Sequence, residues 1–456
     1  MSLPLTVPLP DLLLESVPGL PARIGRYRVV QRLGEGATSE VFLAHDDFHQ
    51  QAVAIKRVRE AHYGTSIDQH YRSHFFAAEA ALVGRLRHPN IVRLLEAVAD
   101  GEQPYLVMEY VPGVTLKKFC RPDSLLPLEQ VVDIGFKCAM ALDYVARQGL
   151  VHRDVKPANI LAVLDGDRVA DVKLSDFGSV YDHTADRTQV YRVGSLSYMS
   201  PEQLDGTTVD ARADQYALAA VLYHLVAGRP PFDAQSQVAL MHQICHGEAP
   251  PLGALRDGVP PRLEALLRRA MSKRVVDRLP DWESFAREWS ALVTRGEIGA
   301  PLRDQEVLDT ERFTLLRELD FFREFGDAEL WEVVRRAQWL RHKYAAAIYR
   351  QGEEGNTFHI IALGRIDVYR EGERVAQLGP GTSVGEMAYL APSPDLRLHA
   401  ADVIVAEPAT TIAFTPQSLA LLSEPTRHRF DAAFIRVLVR RLHAAHEALA
   451  HPRRIL

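Results

Sequence analysis

The segment from Val151 to Asn159, which reads VHRDVKPAN, restricts the fold of this chain more than any other feature. Asp154 and Asn159 are five positions apart, and Lys156 lies between them. In this spacing Asp154 can accept the proton of an incoming hydroxyl, Asn159 can coordinate a metal ion, and Lys156 can neutralise charge on a transferring phosphoryl group. The segment therefore predicts a fold that presents a phosphoryl-transfer loop.

A glycine-rich turn lies upstream, in the segment LGEGATSEV between two predicted strands. Gly34 and Gly36 let backbone amides approach a triphosphate, and Leu33 and Val41 flank the turn. A glycine pair by itself is more often an ordinary hairpin turn, so its neighbours decide the interpretation. Ser39 stands where a third glycine is frequent, and its small side chain is compatible with a nucleotide loop.

Three charged residues complete the set. Lys56 ends the strand segment VAIK and can hold the α- and β-phosphates, while Glu79 on the next predicted helix can pair with it. Asp176, in the triplet Asp-Phe-Gly, supplies a carboxylate for magnesium ions that bridge the phosphates. Alone, these residues are more simply a surface lysine, a solvated glutamate and a loop aspartate. Together, their order and spacing indicate a phosphoryl-transfer site.

These motifs resemble the protein kinase family over residues 25–292, most closely its bacterial, eukaryotic-like serine/threonine branch. The resemblance implies an α+β, bilobal fold, ATP with Mg²⁺ or Mn²⁺ as cofactors, and protein substrates. It implies that Asp154 and Lys156 are catalytic and that Asn159 and Asp176 bind the metal. The residues expected to contact ATP are Leu33, Gly34, Gly36, Val41, Ala54, Lys56, Glu79, Met108, Glu109 and Val111.

The segment GSLSYMSPE, at 194–202, looks like the substrate-docking segment of that family, with Ser200 in place of alanine. The resemblance implies that Glu202 pairs with Arg278 and that Asp214 anchors the catalytic loop. Lys156 and this segment favour serine or threonine acceptors over tyrosine.

Arg153 directly precedes the catalytic aspartate, and in similar kinases such an arginine receives a phosphorylated residue of the activation segment. Thr184 and Thr188 are the candidate autophosphorylation sites. Ordinary loop threonines are an equally good interpretation of their position.

The C-terminal part alternates apolar and polar residues, with glycines at its turns, in IYRQGEEGNTFHIIALGRIDVY and again through LGPG to VGEMAYL. It resembles the cyclic nucleotide-binding fold, a β-roll with flanking helices, over residues 319–449. The resemblance implies a second-messenger pocket at Gly385 and Glu386, where the glutamate would take a ribose hydroxyl.

The pocket departs from the family pattern at two positions. His399 stands where an arginine would neutralise the cyclic phosphate, and Asp402 stands where a threonine or serine would donate to it. A carboxylate beside a phosphate is repulsive, and a neutral imidazole lacks the bidentate charge of arginine. Cyclic nucleotide binding is therefore open: Arg397 could replace the missing guanidinium, or the module could serve docking or dimerisation instead.

Length and composition agree with several domains. The 456 residues divide into an N-terminal extension (1–24), the kinase domain (25–292), a linker (293–318), the C-terminal module (319–449) and a tail (450–456). The net charge of −6, without a basic stripe, argues against nucleic-acid binding. Three widely spaced cysteines and the lack of a membrane-length apolar run favour a soluble protein of the reducing cytoplasm.

Two rival interpretations remain beside the kinase. A pseudokinase scaffold would use the kinase shape only to gather partners, with the C-terminal module for docking or homodimerisation, although Lys56, Asp154, Asn159 and Asp176 are all present. A small-molecule kinase would share the fold, but GSLSYMSPE suits a protein substrate.

The pattern also predicts secondary structure. Alternation indicates strands at 27–33, 40–46 and 51–58, and helical periodicity is expected at 71–86 and from 128 to 293. In the C-terminal module, DAELWEVVRRAQWL and residues 427–449 are expected to be helical.

Overall fold

The structure is a computed structural model that describes residues 20–35, 39–58, 76, 79–99, 104–177, 181–182, 196–294, 297–298, 309–391, 393 and 396–450. The chain forms two compact units, Leu3–Glu306 and Val307–Leu456. None of the helices in the described part is long and apolar enough to cross a membrane.

The first unit begins with an antiparallel sheet whose strands follow the order β1-β2-β3-β4-β6-β5. The bounds are β1 (Arg23–Ile24), β2 (Tyr27–Glu35), β3 (Ser39–Asp46), β4 (Gln51–Val58), β5 (Leu94–Val98) and β6 (Tyr105–Glu109). The three strands predicted between residues 27 and 58 are confirmed. β1 lies just before residue 25.

Strand β4 lies inside this sheet, between β3 and β6. Its register places Lys56 opposite Val41 on one side and opposite Leu106 on the other. Alternate residues of these strands, such as Phe42, Ile55 and Val107, form a buried core. Because successive side chains of a strand point to opposite faces, Lys56 faces away from its buried neighbour Ile55.

A helical lobe follows. Its helices are α1 (Leu128–Arg147), α2 (Pro201–Leu204), α3 (Ala211–Ala227), α4 (Gln237–His246), α5 (Pro261–Ala270) and α6 (Trp282–Thr294). Short strands accompany them: β7 (Val114–Thr115), β8 (Leu150–Val151), β9 (Ile160–Asp165), β10 (Arg168–Leu174) and β11 (Tyr181–Asp182).

Helices dominate the stretch 128–293, as expected, and β9 and β10 form an antiparallel hairpin within it around the left-handed Gly166. One sequence-based expectation for this unit needs correction. In the expected helix 71–86, Phe76, Glu79 and Ala80 are helical, whereas residues 81–85 form a turn. Short i to i+3 bonds, such as Leu82 N to Glu79 O at 3.0 Å, close that turn.

A buried ion pair joins α2 to the segment before α6. Arg278 donates from both terminal nitrogens to Glu202, at 2.6 and 2.7 Å, and both residues are buried. Arg278 also donates to the carbonyls of Ser272 and Arg212. The pair that the sequence resemblance implies is therefore present, and it fixes the end of the substrate-docking segment.

The second unit is built on a sheet of order β12-β17-β14-β15, to which β13 and β16 are added. Its strands are β12 (Gln338–His342), β13 (Ala347–Tyr349), β14 (Phe358–Arg370), β15 (Glu373–Leu378), β16 (Ser383–Val384) and β17 (Asp402–Phe414). Its helices are α7 (Asp309–Glu318), α8 (Asp327–Arg336), α9 (Glu386–Tyr389), α10 (Pro416–Ala420) and α11 (Glu424–Ala450).

Two features of this unit differ from expectation. The helix predicted through Leu340 ends at Arg336, because Gln338–His342 pair with β17 as a strand. Helix α7 lies inside the expected linker, and it packs there because Phe313 is buried against Trp331 of α8, with ring centroids 5.3 Å apart. The α+β class is confirmed: a lobe built on a sheet and a helical lobe are followed by a β-rich unit with helices.

We predict that Arg278→Met lowers the free energy of unfolding of the first unit by about 3 kcal/mol, because it leaves the Glu202 carboxylate buried without a partner. Arg262→Met is the matched control, since the Arg262–Glu288 pair is partly exposed and should cost less than about 1 kcal/mol. Urea unfolding followed by pulse proteolysis measures both. Equal losses of unfolding free energy in the two variants would show that the buried pair stabilises the unit no more than the exposed pair does.

Candidate active site

Lys56 occupies the centre of the cleft between two carboxylates. Its ammonium donates to both oxygens of Glu79, at 2.9 and 3.0 Å, and to Asp176 Oδ1 at 2.5 Å. The three residues come from strand β4, from the helical residues before the turn at 81–85, and from the loop after β10. The sequence-predicted pair of Lys56 and Glu79 is formed, and a second carboxylate, that of Asp176, joins it.

Electrostatics in this cluster follow from burial and from the shared ammonium. Desolvation opposes the charge on Lys56, but Asp176 and Glu79 together raise its pKa. Desolvation raises the pKa of Glu79, against the effect of Lys56. For Asp176, desolvation raises the pKa, but the charge and hydrogen bond of Lys56, with the charge of Lys156, together outweigh it and hold the pKa well below its ordinary value. Asp176 is thus ionised, as a ligand of a divalent cation must be.

The catalytic loop presents Asp154, Lys156 and Asn159 as one hydrogen-bonded group. Lys156 donates to both Asp154 oxygens at 2.6 and 2.8 Å, and Asn159 Nδ2 donates to Asp154 Oδ2 at 3.0 Å and to its backbone oxygen at 2.9 Å. A short 3-10 turn at Pro157–Asn159 places the amide. With its nitrogen held, Asn159 has its amide oxygen left as a metal ligand.

Asp214 holds the loop from below. Its carboxylate accepts from the backbone amides of His152 at 2.7 Å and Arg153 at 2.8 Å, and it is buried in α3. Arg153 adopts φ +65°, a left-handed conformation that costs energy for a residue with a side chain. The two hydrogen bonds offset that cost, and the anchoring implied by the sequence is present.

The loop is also joined to the metal-binding segment. His152 Nε2 donates to the Ser175 carbonyl at 3.1 Å, and its ring packs on Phe177 with centroids 4.6 Å apart. Asp176, which lies between Ser175 and Phe177 in the sequence, also has φ +65°. His152 and Phe177 therefore position Asp176 relative to Asp154.

The residues expected around the adenine lie where the two lobes of the first unit join. Ala54 is opposite Met108 in the sheet, and Met108 packs with buried Val111. Glu109, which resemblance placed in the hinge, has its carboxylate bound to Lys173 at 2.7 Å and to the Arg93 amide at 3.0 Å. Both contacts are made by Oε1 of the Glu109 carboxylate.

Several expected site residues fall outside the described residues. Gly36 is one, so the tip of the glycine loop is not placed, whereas Leu33, Gly34 and Val41 lie on β2 and β3. Thr184 and Thr188 also fall outside. Lys173 was not predicted as a site residue. It lies next to Leu174 on β10, and no local sequence motif relates it to its partner Glu109.

In the second unit, the carboxylate expected to bind ribose is already paired. Glu386, at the start of α9, is buried, and it accepts from Arg441 of α11. Arg441 also donates to the Ser383 carbonyl at 2.7 Å. No residue pattern in the sequence relates positions 386 and 441, so this partner was missed.

The residue at the position expected to bind the cyclic phosphate is packed against an aromatic ring. His399 is buried and stacks on Tyr349 with centroids 3.9 Å apart and planes 26° from parallel. A Cβ at Gly355 would lie 2.1 Å from His399 Nε2, so glycine there makes room for the imidazole. Asp402 accepts from the Gln351 amide at 2.8 Å. Among the described residues no hydrogen bond or ion pair joins Arg397 to Glu386.

A histidine cluster lies between the strands of this unit. The Thr411 hydroxyl is 2.8 Å from His342 Nε2 and 2.9 Å from His359 Nδ1, so it can donate to one ring and accept from the other. Tyr349 contacts the His359 ring edge-on at 5.4 Å. Burial, with the nearby His342 and His399, lowers the pKa of His359 to about 4. The cluster is therefore held in its neutral form.

Comparison with known proteins agrees with both halves of the chain. Residues 27–289 match the protein kinase domain family, and residues 341–424 match the cyclic nucleotide-binding domain family. The first match covers more than half of the chain. The chain therefore belongs to the protein kinase family, and it carries a C-terminal domain of the cyclic nucleotide-binding class.

Similar curated proteins are bacterial. Serine/threonine-protein kinase PknB of Mycobacterium leprae is 34% identical over 299 residues, which are 64% of this chain and 46% of that protein. Probable serine/threonine-protein kinase CA_C1728 of Clostridium acetobutylicum is 32% identical over 291 residues, 63% of this chain and 42% of that protein. The chain spans less than half the length of these relatives.

We predict that the second unit loses stability as pH falls from about 6.5 to about 4. The unfolded chain takes up a proton at His359 near its ordinary pKa of about 6.5, whereas the folded site takes it up only near 4, so stability is full above this window. The loss attributable to this residue is about 3 kcal/mol. Thermal unfolding at stepped pH measures it.

The variant His359→Gln keeps a hydrogen-bonding group near Thr411 but cannot titrate, so its stability should depend less on pH in this window. His443→Gln is the control, because His443 is exposed on α11. Identical pH profiles for wild type and His359→Gln would contradict the account.

Proposed function

We propose that this chain is a serine/threonine protein kinase that transfers the γ-phosphoryl group of Mg-ATP to protein hydroxyls. One observation carries the proposal: Lys56, Glu79 and Asp176 form one ion cluster, while Asp154, Lys156 and Asn159 form a second, hydrogen-bonded group. The oxygen donors of Asp176 and Asn159 are those that Mg²⁺ prefers. When bound, ATP supplies the phosphoryl group, and Mg²⁺ neutralises negative charge on its phosphates.

Each side chain then has a defined task. Asp154 accepts the proton of the acceptor hydroxyl, and Lys156, 2.6 Å from it, stabilises negative charge that develops beside the loop. Glu79 keeps the Lys56 ammonium directed into the cleft, where that charge can hold phosphate oxygens. Asp214 and His152 hold the loop, so the acceptor meets a preorganised base.

The acceptor is a protein serine or threonine. Lys156 in the catalytic loop and the segment through Tyr198 to Glu202 support this choice, since Glu202 is locked by Arg278 and Tyr198 hydrogen bonds to His224 at 2.8 Å. The relatives named above carry the words serine/threonine-protein kinase in their own names. A pseudokinase or a small-molecule kinase fits less well, because both the ion cluster and the Glu202–Arg278 pair are present.

The kinase also modifies itself in this proposal, at Thr184 or Thr188, with Arg153 receiving the phosphate. We keep residues 25–292 as the catalytic domain and place the reaction in the cytoplasm. The three cysteines are free thiols, which supports a reducing compartment.

The C-terminal domain, in our proposal, regulates the kinase without ordinary cyclic nucleotide binding. His399 is committed to Tyr349, Asp402 adds a negative charge, and Glu386 is committed to Arg441. Arg441 occupies Oε1 of Glu386, and a cyclic nucleotide would find no guanidinium for its phosphate at His399 or Asp402. In an alternative arrangement, Arg397 moves to supply the missing guanidinium.

We predict that Asp154→Asn lowers kcat by about 10²- to 10⁴-fold, the usual contribution of a general base, with ATP affinity within about twofold of wild type. Radiolabel transfer to a generic basic protein and ATP titration measure the two quantities. Asp167→Asn, in the exposed turn between β9 and β10, is the matched control and should leave both unchanged. Phosphosite mapping of the same samples tests Thr184 and Thr188.

Full transfer by Asp154→Asn would contradict the assignment of the base. Absence of phosphate on either threonine in an active wild-type enzyme would contradict only the autophosphorylation sites.

We predict that about 1 mM cyclic AMP or cyclic GMP leaves the melting temperature of the C-terminal domain unchanged, because a ligand stabilises only when its concentration reaches its Kd. The double variant His399→Arg, Asp402→Thr should gain stabilisation by cyclic nucleotide. His399→Arg, Asp402→Glu is its control, since the carboxylate repulsion persists. A stabilised wild type, with loss of that effect in Arg397→Ala, would establish the Arg397 alternative.

A further inference from the structure

The long C-terminal helix α11 has two faces of opposite character. Its inner face places Phe430 and Phe434 among the aromatic side chains of the second unit, 4.9 Å from Phe414 and 4.8 Å from Phe358 between ring centroids. Its outer face carries an exposed apolar strip of four side chains. The strip consists of Ile435, Leu438, Val439 and Leu442, which are 62%, 39%, 47% and 57% exposed.

The strip cannot turn inward, because ion pairs on other sides of α11 fix its rotation. Arg436 binds Glu324 at 2.8 Å, Arg440 binds Asp320 at 2.5 Å, and Arg441 binds Glu386. Together with the two phenylalanines these contacts hold the strip outward. A contiguous exposed apolar patch on a fixed helix is typical of an interaction surface.

The spacing of the strip indicates what covers it. Ile435, Leu438 and Leu442 are separated by three and four residues, and the sequence continues this spacing at Ala445 and Leu449. A repeat of 3.5 residues is the pattern of a helix that packs along another helix. A membrane surface would instead need free basic residues beside the strip. The three arginines named above are bound to carboxylates.

Charge selects the orientation of the second helix. Residues Asp431 and His446 are exposed at the two ends of the strip. In an antiparallel pair centred between Leu438 and Val439, Asp431 lies opposite His446 of the other copy, and Ile435 lies opposite Leu442. A parallel pair would place Asp431 opposite Asp431, which is repulsive. The antiparallel pair is self-complementary, as a two-fold interface requires.

We infer that two copies of this chain associate through antiparallel packing of their α11 strips. The interface is independent of any nucleotide, because it uses the outer face of a helix whose inner face is already committed. One consequence rests on the proposed kinase function: a second copy raises the local concentration of one kinase domain around another and favours phosphorylation between copies.

Sedimentation equilibrium of the full-length chain tests the inference. Wild type should show a monomer–dimer equilibrium, and Leu438→Glu, Leu442→Glu should raise the dimer Kd at least about tenfold. Val276→Glu, Val375→Glu is the matched control: it adds the same charge at two exposed valines outside the strip and should leave Kd unchanged. Circular dichroism and melting temperature check that both variants are folded.

A charge exchange tests the orientation. Asp431→Arg should raise the dimer Kd, and adding His446→Glu should restore it, because the two altered residues face each other only in the antiparallel pair. In a parallel pair the second substitution would weaken association further.

A monomeric wild type, or a strip variant that dimerises like wild type, would overturn the inference. Neither result depends on kinase activity, since sedimentation measures association alone. Failure of phosphoryl transfer in a dimeric protein would instead count against the proposed function.

Discussion

The ammonium of Lys56 is the contact on which the first unit depends. It is shared by the buried Glu79 and the partly exposed Asp176, so removal of any one of the three charges leaves the others poorly compensated. Through this single group the sheet, the helical residue Glu79 and the segment around Asp176 are held together. The proposed reaction needs this arrangement, because in it Asp154 and Asp176 act on the same phosphoryl group.

A second constraint lies below the loop. Asp214 accepts hydrogen bonds from two backbone amides and so supports the left-handed conformation of Arg153. His152 links this loop to Ser175 by a hydrogen bond and to Phe177 by ring packing. The substrate side is fixed separately by Glu202 and Arg278. The cleft is thus preorganised by buried polar contacts on both sides, which accounts for a base that needs little rearrangement when an acceptor arrives.

Much of this could be predicted from sequence because its signals are local. The strands of the first sheet alternate cleanly, and VHRDVKPAN places three site residues within six positions. What could not be predicted depends on distant partners: Arg441 reaches Glu386 across 55 positions, and Lys173 reaches Glu109 across 64. The sequence pattern of the segment ending in Leu340 fits both a helix and a strand, and its pairing with β17 determines that it is a strand.

Transfer of phosphate to protein serine and threonine is the central property proposed for this chain. Phosphoamino-acid analysis tests it most directly: the full-length chain is incubated with labelled Mg-ATP and a basic protein substrate, and the labelled residues are separated after acid hydrolysis. The account predicts label on serine and threonine and none on tyrosine. Absence of incorporation, or label on tyrosine, would contradict it.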